Sequence, residues 1–578
     1  MVVTDSTDTG RVQRVNGPLV EVTGLRGVAA LEVIELGPLH IPAEVVSIRD
    51  GRLTAEAFEY TGGLRVGDEA ISQNRPLSAR LGPHLLGGVF DGLLRPLEDG
   101  PTWLEPGSLA TRASLTKWPF VPTSIALGAQ LQPGAILGTV TTVSGFEHRV
   151  LVPPDVTGSL TWLAAQGEIG ESGAVALIAG RTVTLFEQWP VRRARPVRAR
   201  LRVDEPLVTG QRVVDLFFPV AQGATAAVPG GFGTGKTMLL QQILKWADVE
   251  VVVFVGCGER GNELADAVVD LMALKDPKTG RDLRERTVVI ANTSNMPVMA
   301  RVASVYTGMS VAEYFRDMGH RVVMLADSTS RWAEALREFS SRSGELPAEE
   351  GYPASLSSSL AAFYERAARV TTLGGIEGSV TLIGAVSPAG GDMTEPVTAQ
   401  TVRYVRCLWS LDRDLAYARH YPAVTWRHSF SLDDTIIANW HTAQGRAGWT
   451  ESRARALSLL AESDRLSSVV ELVGLGALPA RERIVMLTGR LLREGVLQQS
   501  ALSENDAYCS PTKQSALLDM VLAVHDRCLS LVEGGLPASA IEEFDLTSVT
   551  RARDETGPDD AAGVNRLRDE VLARIGAP

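Results

Sequence analysis

The sequence is poor in cysteine, and its cysteines are not spaced for metal binding or for a disulfide framework. There are four in 578 residues, and none forms a C-x-x-C pair: Cys257, Cys407, Cys509 and Cys528. Zinc sites and the cross-linked scaffolds of small secreted proteins need closer or more numerous cysteines. We therefore expect buried free thiols in a reducing compartment.

An excess of basic residues is also missing. Lysine and arginine total 56 against 68 aspartate and glutamate residues, a formal net charge of −12. Nucleic-acid binding needs basic surface to neutralise phosphates, so we expect no nucleic-acid partner. Residues 189–203 nevertheless carry six arginines. They could form an RNA-binding strip, but in so acidic a chain we expect a solvated link between domains.

No segment predicts a membrane-spanning helix. The longest uncharged stretch, residues 118–146, is broken by Pro122, Pro133 and several polar residues. A spanning helix needs about 20 predominantly apolar residues. Residues 1–11 lack the apolar core of a signal peptide, so we expect none. Any membrane role must come through partner chains.

The chain is too long for one hydrophobic core, and its pattern changes several times. Period-two runs predict a small N-terminal β-barrel or sandwich, and a later stretch of the same kind predicts an inserted β-rich domain. Apolar runs that alternate with helical patterns predict an α/β core, and the last part is helical with an acidic tail. The predicted divisions are a barrel at 1–75, a linker at 76–110, the inserted domain at 111–186, the core at 187–431 and the helical domain at 432–578.

Strands and helices alternate within the predicted core. The strands cover residues 250–256, 287–291, 321–327 and 379–386, and their near-continuous apolar character suits a parallel sheet covered on both faces. The helices cover residues 262–272, 331–340 and 355–369.

A glycine-rich loop carries the strongest chemical signal. Residues 230–237 read G-G-F-G-T-G-K-T, between a strand-like run and a helical one, and fit G-x-x-x-x-G-K-[ST] at every fixed position. In such a loop, backbone N–H groups and a helix N-terminus hold phosphates, the lysine lies between the β- and γ-phosphates, and the final hydroxyl binds Mg²⁺. The alternative is a glycine-rich turn with an exposed lysine. The predicted binding residues are Gly230, Gly231, Phe232, Gly233, Thr234, Gly235, Lys236, Thr237 and Met238.

Two further chemical roles fall at the ends of predicted strands. Asp327 ends one apolar strand and is the second predicted magnesium ligand, with Thr237. Glu259 follows another strand and is the candidate that positions and deprotonates water, and Arg260 is the candidate that braces transition-state charge. Read alone, Asp327 is a weak metal signal, and Glu259 and Arg260 fit an exposed charged turn equally well.

These motifs resemble the catalytic A subunit of vacuolar/archaeal-type rotary ATPases. Beside the loop, the runs V-G-C-G-E-R-G-N-E, A-D-S-T-S-R-W-A-E-A and G-G-D-M-T-E-P-V-T agree with that family, and the resemblance extends from about residue 10 to about residue 530. The inserted β-rich domain resembles the bulge that marks these catalytic chains. The non-catalytic B-type chains lack a working loop lysine and a glutamate placed like Glu259, whereas this chain has both.

The resemblance implies a P-loop (RecA-like) α/β core with an N-terminal β-barrel, an inserted bulge domain and a C-terminal helical domain. It implies that Tyr421 stacks on adenine and that Arg331 lies near the nucleotide. Where the family usually has an aromatic residue, this chain has Leu502, which can close an apolar pocket but cannot stack. The loop cysteine of eukaryotic members is replaced by Thr234, so their thiol switch is not expected.

The resemblance further implies ATP hydrolysis or synthesis, with Mg²⁺, in a ring of three such chains and three B-type subunits. The B-type partner would donate an arginine in trans, and central-stalk, peripheral-stalk and membrane-sector subunits would complete the complex. The chain would be cytoplasmic, peripheral at the inner face of the cell membrane. The sequence leaves open proton or sodium coupling, the direction of the reaction, the effect of Leu502 and the role of the acidic tail.

Two other functions remain open at this point. One is a non-catalytic member of such a ring, against which Lys236, Glu259 and Asp327 argue. The other is an RNA-translocating or secretion-type P-loop hexamer, against which the bulge, the G-E-R-G-N-E run and the acidic charge argue.

Overall fold

The computed structural model describes residues 9–98, 106–107, 116–142, 145–277 and 279–576. Parts of the predicted barrel, linker, inserted domain and helical domain fall in residues 1–8, 99–105, 108–115, 143–144 and 577–578, outside the described residues. The chain divides into two units. The first is Met1–Leu201, Val249–Lys275 and Thr279–Gly384, and the second is Arg202–Asp248, Asp276–Lys278 and Ala385–Pro578. The predicted domain boundaries stay predictions.

Six antiparallel strands of the first unit close into a barrel. They are β1 (Thr9–Asn16), β2 (Leu19–Thr23), β3 (Glu32–Leu36), β4 (Ile41–Arg49), β5 (Arg52–Ala57) and β6 (Glu69–Pro76), in the order β1-β2-β5-β4-β3-β6. Alternate apolar side chains point inward and are fully buried, among them Val20, Val22 and Ile34. The period-two pattern of the sequence therefore predicted the barrel correctly.

The inserted domain consists of two four-stranded antiparallel sheets around one apolar core. After β7 (Ser78–Leu81) and β8 (Val89–Phe90) come β9 (Lys117–Pro122), β10 (Gln130–Leu131), β11 (Ile136–Thr141), β12 (Glu147–Leu151), β13 (Gly158–Leu163), β14 (Gly167–Gly170), β15 (Ala174–Ile178) and β16 (Arg181–Thr184). The sheet orders are β12-β11-β9-β14 and β10-β13-β15-β16. Phe120, Leu137 and Leu160 are fully buried between them. The prediction of an inserted β-rich domain is confirmed.

The α/β core follows. After β17 (Glu187–Pro190), which pairs with β7, the strands of the core are β18 (Ala199–Arg200), β19 (Thr225–Pro229), β20 (Val251–Glu259), β21 (Thr287–Thr293), β22 (Arg321–Asp327), β23 (Ala368–Thr371), β24 (Glu377–Val386), β25 (Cys407–Leu408) and β26 (Phe430–Ser431). Its helices are α1 (Lys236–Trp246), α2 (Gly261–Ala273), α3 (Val298–Asp317), α4 (Thr329–Ser343), α5 (Leu356–Tyr364), α6 (Pro396–Tyr404) and α7 (Arg413–Tyr417).

Each unit contains one part of the core strands. In the first unit, β8, β21, β20, β22 and β24 are parallel neighbours in that order, and β23 is antiparallel to β24. In the second unit, β19 is parallel to β25, and β25 is antiparallel to β26. The apolar residues of β20 and β22 are buried, as expected for parallel strands covered on both faces.

One predicted helix is wrong at its end. The sequence predicted a helix over residues 355–369, but α5 ends at Tyr364 and β23 begins at Ala368. The turn between them places the Arg366 guanidinium in a buried ion pair with Glu313, 2.6 Å between Nη2 and Oε2. Residues 368–371 then pair with β24. Tertiary pairing has overridden the local helical pattern.

The prediction that residues 189–203 form a solvated link is only partly correct: four of the six arginines are exposed, whereas Arg195 is buried and Arg192 is half-buried. Arg195 is only 4% exposed, and its guanidinium pairs with Glu187 at 3.0 Å and with Asp317 at 2.6 Å. Arg192 of the same stretch pairs with Glu44 of the barrel at 2.9 Å. Both guanidinium groups thus have a carboxylate partner within the first unit, which offsets the cost of taking a charge out of water.

The C-terminal part of the second unit is helical, as predicted. Its helices are α8 (Asp434–Ala443), α9 (Trp449–Val473), α10 (Ala480–Leu492), α11 (Pro511–Glu533), α12 (Ala538–Glu542), α13 (Thr547–Glu555) and α14 (Ala561–Gly576). The last three belong to the segment after Gly534, called the tail below. The sequence left the role of this acidic tail open. In the structure, α13 and α14 pack against each other and α14 packs on α11.

All four cysteines are free and buried, as predicted. Burial raises the pKa of the Cys257 thiol to about 11 and that of the Cys528 thiol to about 11. In the described ranges, no helix combines the length and the apolar character needed to cross a membrane.

Candidate nucleotide-binding and catalytic residues

The glycine-rich loop of the second unit joins β19 to α1. Gly233 has φ +79° and Gly235 has φ +80°, conformations that residues with a Cβ rarely adopt. The Thr234 hydroxyl donates a hydrogen bond to the Gly231 carbonyl oxygen at 2.8 Å, which closes the turn. The loop therefore folds tightly and leads directly into the helix N-terminus.

The first turn of α1 presents the chemical groups of the motif. Lys236 begins the helix, and its ammonium donates to the Val386 carbonyl oxygen at 2.9 Å and to the Ser387 hydroxyl. Thr237 and Met238 are exposed, as is Phe232 in the loop. The first turn contains no acidic side chain. Unpaired N–H groups and the positive end of the helix dipole make this terminus suitable for an anion.

Tyr421 lies against the loop. A Cβ added to Gly235 would be 3.1 Å from Cε1 of the Tyr421 ring, so the glycine is needed for this approach as well as for its φ. Tyr421 keeps 42% of its surface exposed, so a ligand can reach it. The backbone N–H of Gln499 donates to the Tyr421 carbonyl oxygen at 2.8 Å. The structure thus brings together the loop, Tyr421 and the segment that carries Leu502.

Leu502 is 92% exposed, so its side chain is free to contact a ligand. The sequence interpretation missed a neighbour of the loop, Arg413, whose Nη2 would lie 3.2 Å from a Cβ added to Gly231. Its position follows from local signals that were available. Asp412 accepts a hydrogen bond from the Leu415 N–H as the cap of α7, directly after β25, the parallel neighbour of β19.

Two predicted site carboxylates, the magnesium ligand Asp327 and the catalytic Glu259, lie in the first unit, at the ends of neighbouring parallel strands. Asp327 ends β22 and is paired in register with Gly256 of β20, three residues before Glu259. Glu259 is partly buried, and its Oε1 lies 4.0 Å from Nε of Arg331. The carboxyl ends of parallel strands are the usual place for ligand chemistry in open α/β sheets.

Arg331 is held in place at the start of α4. Ser328 caps this helix by accepting a hydrogen bond from the Arg331 N–H. The guanidinium also pairs with Glu334 at 3.0 Å. Burial opposes the charge, but the hydrogen bond and charge of Glu334 and the charge of Glu259 raise the pKa of Arg331, so it stays cationic.

Arg260 is placed differently from the other predicted site residues. It precedes α2, its side chain is 78% exposed, and its guanidinium lies 3.3 Å from Glu263. It makes no ion pair with Glu259 in the described structure. Its predicted catalytic role stays a prediction.

The fold and the loop define a P-loop nucleotide-binding protein with a RecA-like core. Residues 210–431 match the nucleotide-binding domain of the ATP synthase alpha/beta family. Residues 112–192 match the barrel-sandwich domain of the alpha and beta subunits of ATP synthase, and residues 438–540 match the C-terminal domain of V and A type ATP synthase.

Relatives match almost the whole chain. The A subunit of the A-type ATP synthase of Methanopyrus kandleri is 46% identical, over 93% of this chain and 93% of that protein. The V-type ATP synthase alpha chain of Anaeromyxobacter sp. strain K is 46% identical, over 98% of this chain and 100% of that protein. The chain therefore belongs to the ATP synthase alpha/beta family, among the V-type alpha chains and their A-type counterparts. The resemblance drawn from the motifs is confirmed.

A solved structure shares the fold at lower identity. The ATPase EscN of the enteropathogenic E. coli type III secretion system superposes with a TM-score of 0.65, over 89% of this chain and 99% of that one. Sequence identity is 21%, so this likeness concerns the fold alone.

Proposed function

We propose that the chain is the catalytic subunit of an ion-translocating rotary ATPase, which hydrolyses or synthesises ATP in a hetero-hexameric ring coupled to proton or sodium transport. The phosphate loop carries the proposal: glycines at positive φ lead into α1, whose first turn presents Lys236 and Thr237. The full-length relatives, V-type alpha chains and their A-type counterparts in ATP synthases, support it.

In this proposal the loop residues 230–238 bind the phosphates of ATP. Backbone N–H groups and the N-terminus of α1 receive the negative charge. Lys236 contacts the β- and γ-phosphates as a point charge, exchanging its contacts with Val386 and Ser387 for phosphate oxygens.

The Thr237 hydroxyl and the Asp327 carboxylate are the proposed magnesium ligands. The described residues contain no group of three or more His, Cys, Asp or Glu side chains that could hold a metal by themselves. This suits Mg²⁺, which keeps several waters and takes few protein ligands beside substrate phosphates. Bound Mg²⁺ would neutralise charge that develops on the phosphates.

Glu259 is the proposed general base. Its place at the end of β20 and its contact with Arg331 give it a fixed position, from which it orients and deprotonates the attacking water. Arg260 is proposed to brace transition-state charge. To contact the phosphates, the Arg260 side chain must give up its exposed ion pair with Glu263. Exposed ion pairs of this kind contribute little to stability.

Tyr421 and Leu502 are the proposed contacts of the adenine base. An aromatic face beside the phosphate loop suits stacking, and an exposed leucine can close the other side of an apolar pocket. Leu502 supplies contact area but no stacking, so we expect weaker base selectivity than an aromatic residue would give.

The proposed assembly places three of these chains in alternation with three B-type subunits that donate an arginine in trans. Central-stalk and peripheral-stalk subunits connect the ring to a membrane sector, so the chain is peripheral at the inner face of the cell membrane. An arginine supplied in trans is typically worth about 10³–10⁵ in rate. The chain alone should therefore bind nucleotide but hydrolyse it poorly.

The test is Mg-ATP hydrolysis by the ring reassembled with its B-type partner, with the wild-type chain and with Glu259→Gln. We expect the variant to bind ATP normally and to turn over at least about 10²-fold more slowly. Asp270→Asn is the matched control, because Asp270 is exposed towards the C-terminal end of α2 and its substitution removes one carboxylate charge from the helix that follows Glu259. If both rings bind nucleotide and the wild type does not hydrolyse it, the chain is a non-catalytic member of the ring.

A further inference from the structure

The tail after Gly534 contacts the segment that carries Leu502. Arg553 of α13 donates from Nη1 to the Oδ2 of Asp506 at 2.6 Å. The Asn505 side-chain amide donates to the Asp554 carbonyl oxygen at 2.8 Å. Both contacts join a tail helix to the residues directly after Leu502. The match to the V and A type C-terminal domain ends at residue 540, before α13 begins.

A buried lysine reinforces the same junction. The Lys513 ammonium donates to the carbonyl oxygens of Asn505 at 3.0 Å, Arg553 at 2.8 Å and Thr556 at 2.9 Å. The Lys513 side chain thus connects the start of α11 with the chain before it and with the C-terminal end of α13. The Arg553 carbonyl lies in the last turn of α13, where carbonyl oxygens have no partner within the helix and are satisfied by groups such as this ammonium.

Asp506 has a second arginine partner from the start of the second unit. Arg212 donates from Nη1 to its Oδ1 at 2.5 Å, and both side chains are fully buried. The same guanidinium donates to the carbonyl oxygens of Val496 at 2.7 Å and Gln498 at 2.6 Å. One carboxylate therefore connects the tail to the backbone that leads into the Leu502 segment.

Hydrogen bonds to Asp506 and to Gly210 hold the segment Gln498–Leu502 in place. The Ser500 N–H donates to Asp506 Oδ2 at 2.7 Å. The Gln499 side-chain amide donates to the carbonyl oxygens of Gly210 at 2.8 Å and Asp506 at 2.9 Å, while its backbone N–H donates to Tyr421. Leu502 itself stays exposed. The segment thus has buried polar contacts, a backbone hydrogen bond from Gln499 to Tyr421, and an exposed leucine at its end.

We propose that α13 of the tail is a positioning element for the purine base of the bound nucleotide, acting through Arg553 and Asp506 on the Gln498–Leu502 segment. The proposal rests on the proposed function, and it concerns the base rather than the phosphates. Arg553 touches no nucleotide group itself. Its loss leaves Asp506 paired with Arg212, so the fold keeps a partner for the buried carboxylate while the segment loses one of its two arginine anchors.

The experiment compares ATP with inorganic tripolyphosphate, both with Mg²⁺, as ligands of the full-length chain in titration calorimetry. We expect Arg553→Gln to weaken ATP binding about tenfold, the equivalent of one hydrogen bond to a charged group, and to leave tripolyphosphate binding unchanged. In the reassembled ring, KM for ATP should rise by the same factor while kcat at saturation stays constant. Arg553→Lys should restore part of the affinity.

The matched control is Arg551→Gln, because Arg551 lies on the same helix, has a side chain that is 65% exposed, and pairs with Glu555 of α13. Equal weakening of ATP and tripolyphosphate, or no weakening of either, would overturn the positioning role. If Arg553→Gln does not fold, Asn505→Ala is used instead, because it removes the single hydrogen bond to the Asp554 carbonyl oxygen. Its affinities for ATP and for tripolyphosphate are then compared in the same way. A wild-type chain that binds neither ligand would refute the proposed function itself.

Discussion

Gly258 is the residue on which the position of Glu259 depends most directly. It has φ +74°, a left-handed conformation that costs a residue with a Cβ about 1–2 kcal/mol. A Cβ added to Gly258 would also lie 2.7 Å from the Cβ of Arg331, closer than two side-chain carbons approach without movement. In Gly258→Ala, either the end of β20 or the start of α4 must therefore shift, and Glu259 or Arg331 shifts with it.

We expect Gly258→Ala to lower kcat of the reassembled ring about 10²-fold, since a displacement of about 1 Å at a reacting group has that effect. ATP affinity of the chain should stay near the wild-type value because the phosphate loop and Tyr421 belong to the second unit. Turnover and calorimetric affinity are measured on the same preparations.

Gly261→Ala is the matched control for this substitution. Gly261 does not have positive φ, and an added Cβ would lie 3.8 Å from the Cγ2 of Thr293, an ordinary contact. The reasoning is refuted if Gly258→Ala turns over within about twofold of Gly261→Ala. A loss of ATP affinity equal to the loss of kcat would also count against it.

Two further substitutions test other parts of the chain. Both carboxylate oxygens of Glu56 are buried without a hydrogen bond, and burial, opposed by Arg342, raises its pKa from 4.5 to about 7. Because the pKa of Glu56 is higher in the folded state than in the unfolded chain, Glu56 contributes stability at low pH that is lost as the pH rises through about 7. Glu56→Gln should therefore raise the thermal midpoint at about pH 8 and barely change it at about pH 5. A lower midpoint at about pH 8 would contradict this. Leu502→Phe should tighten ATP binding about two- to tenfold by stacking and leave tripolyphosphate binding unchanged. Unchanged ATP affinity would show that Leu502 does not face the base.

The sequence was sufficient where structure follows from local chemistry. The glycines at 233 and 235 have the positive φ that the phosphate loop requires, and Lys236 begins a helix as the motif predicts. The apolar runs that end at Asp327 and Glu259 are parallel neighbours. The loop follows from residue spacing within one motif, and the two strands follow from apolar runs of strand length, which parallel sheets bury on both faces.

The errors concern residues whose partners are distant in sequence. Arg195 looks solvated in its own arginine-rich stretch, but it pairs with Asp317, 122 residues away. Arg366 interrupts a helical pattern because it pairs with Glu313, 53 residues away. Long-range ion pairs of this kind leave no periodic signal, because local pattern reports only on neighbours within a few positions.

The burial of all four native thiols makes the wild-type chain a ready background for site-specific labelling. A thiolate is the species that reacts with maleimides, and burial keeps Cys257 and Cys528 protonated at neutral pH. A cysteine introduced at an exposed position such as Arg551 would then carry a fluorophore or a bead alone, without prior removal of native cysteines. Motion within an assembled complex could be followed on a chain altered at a single residue.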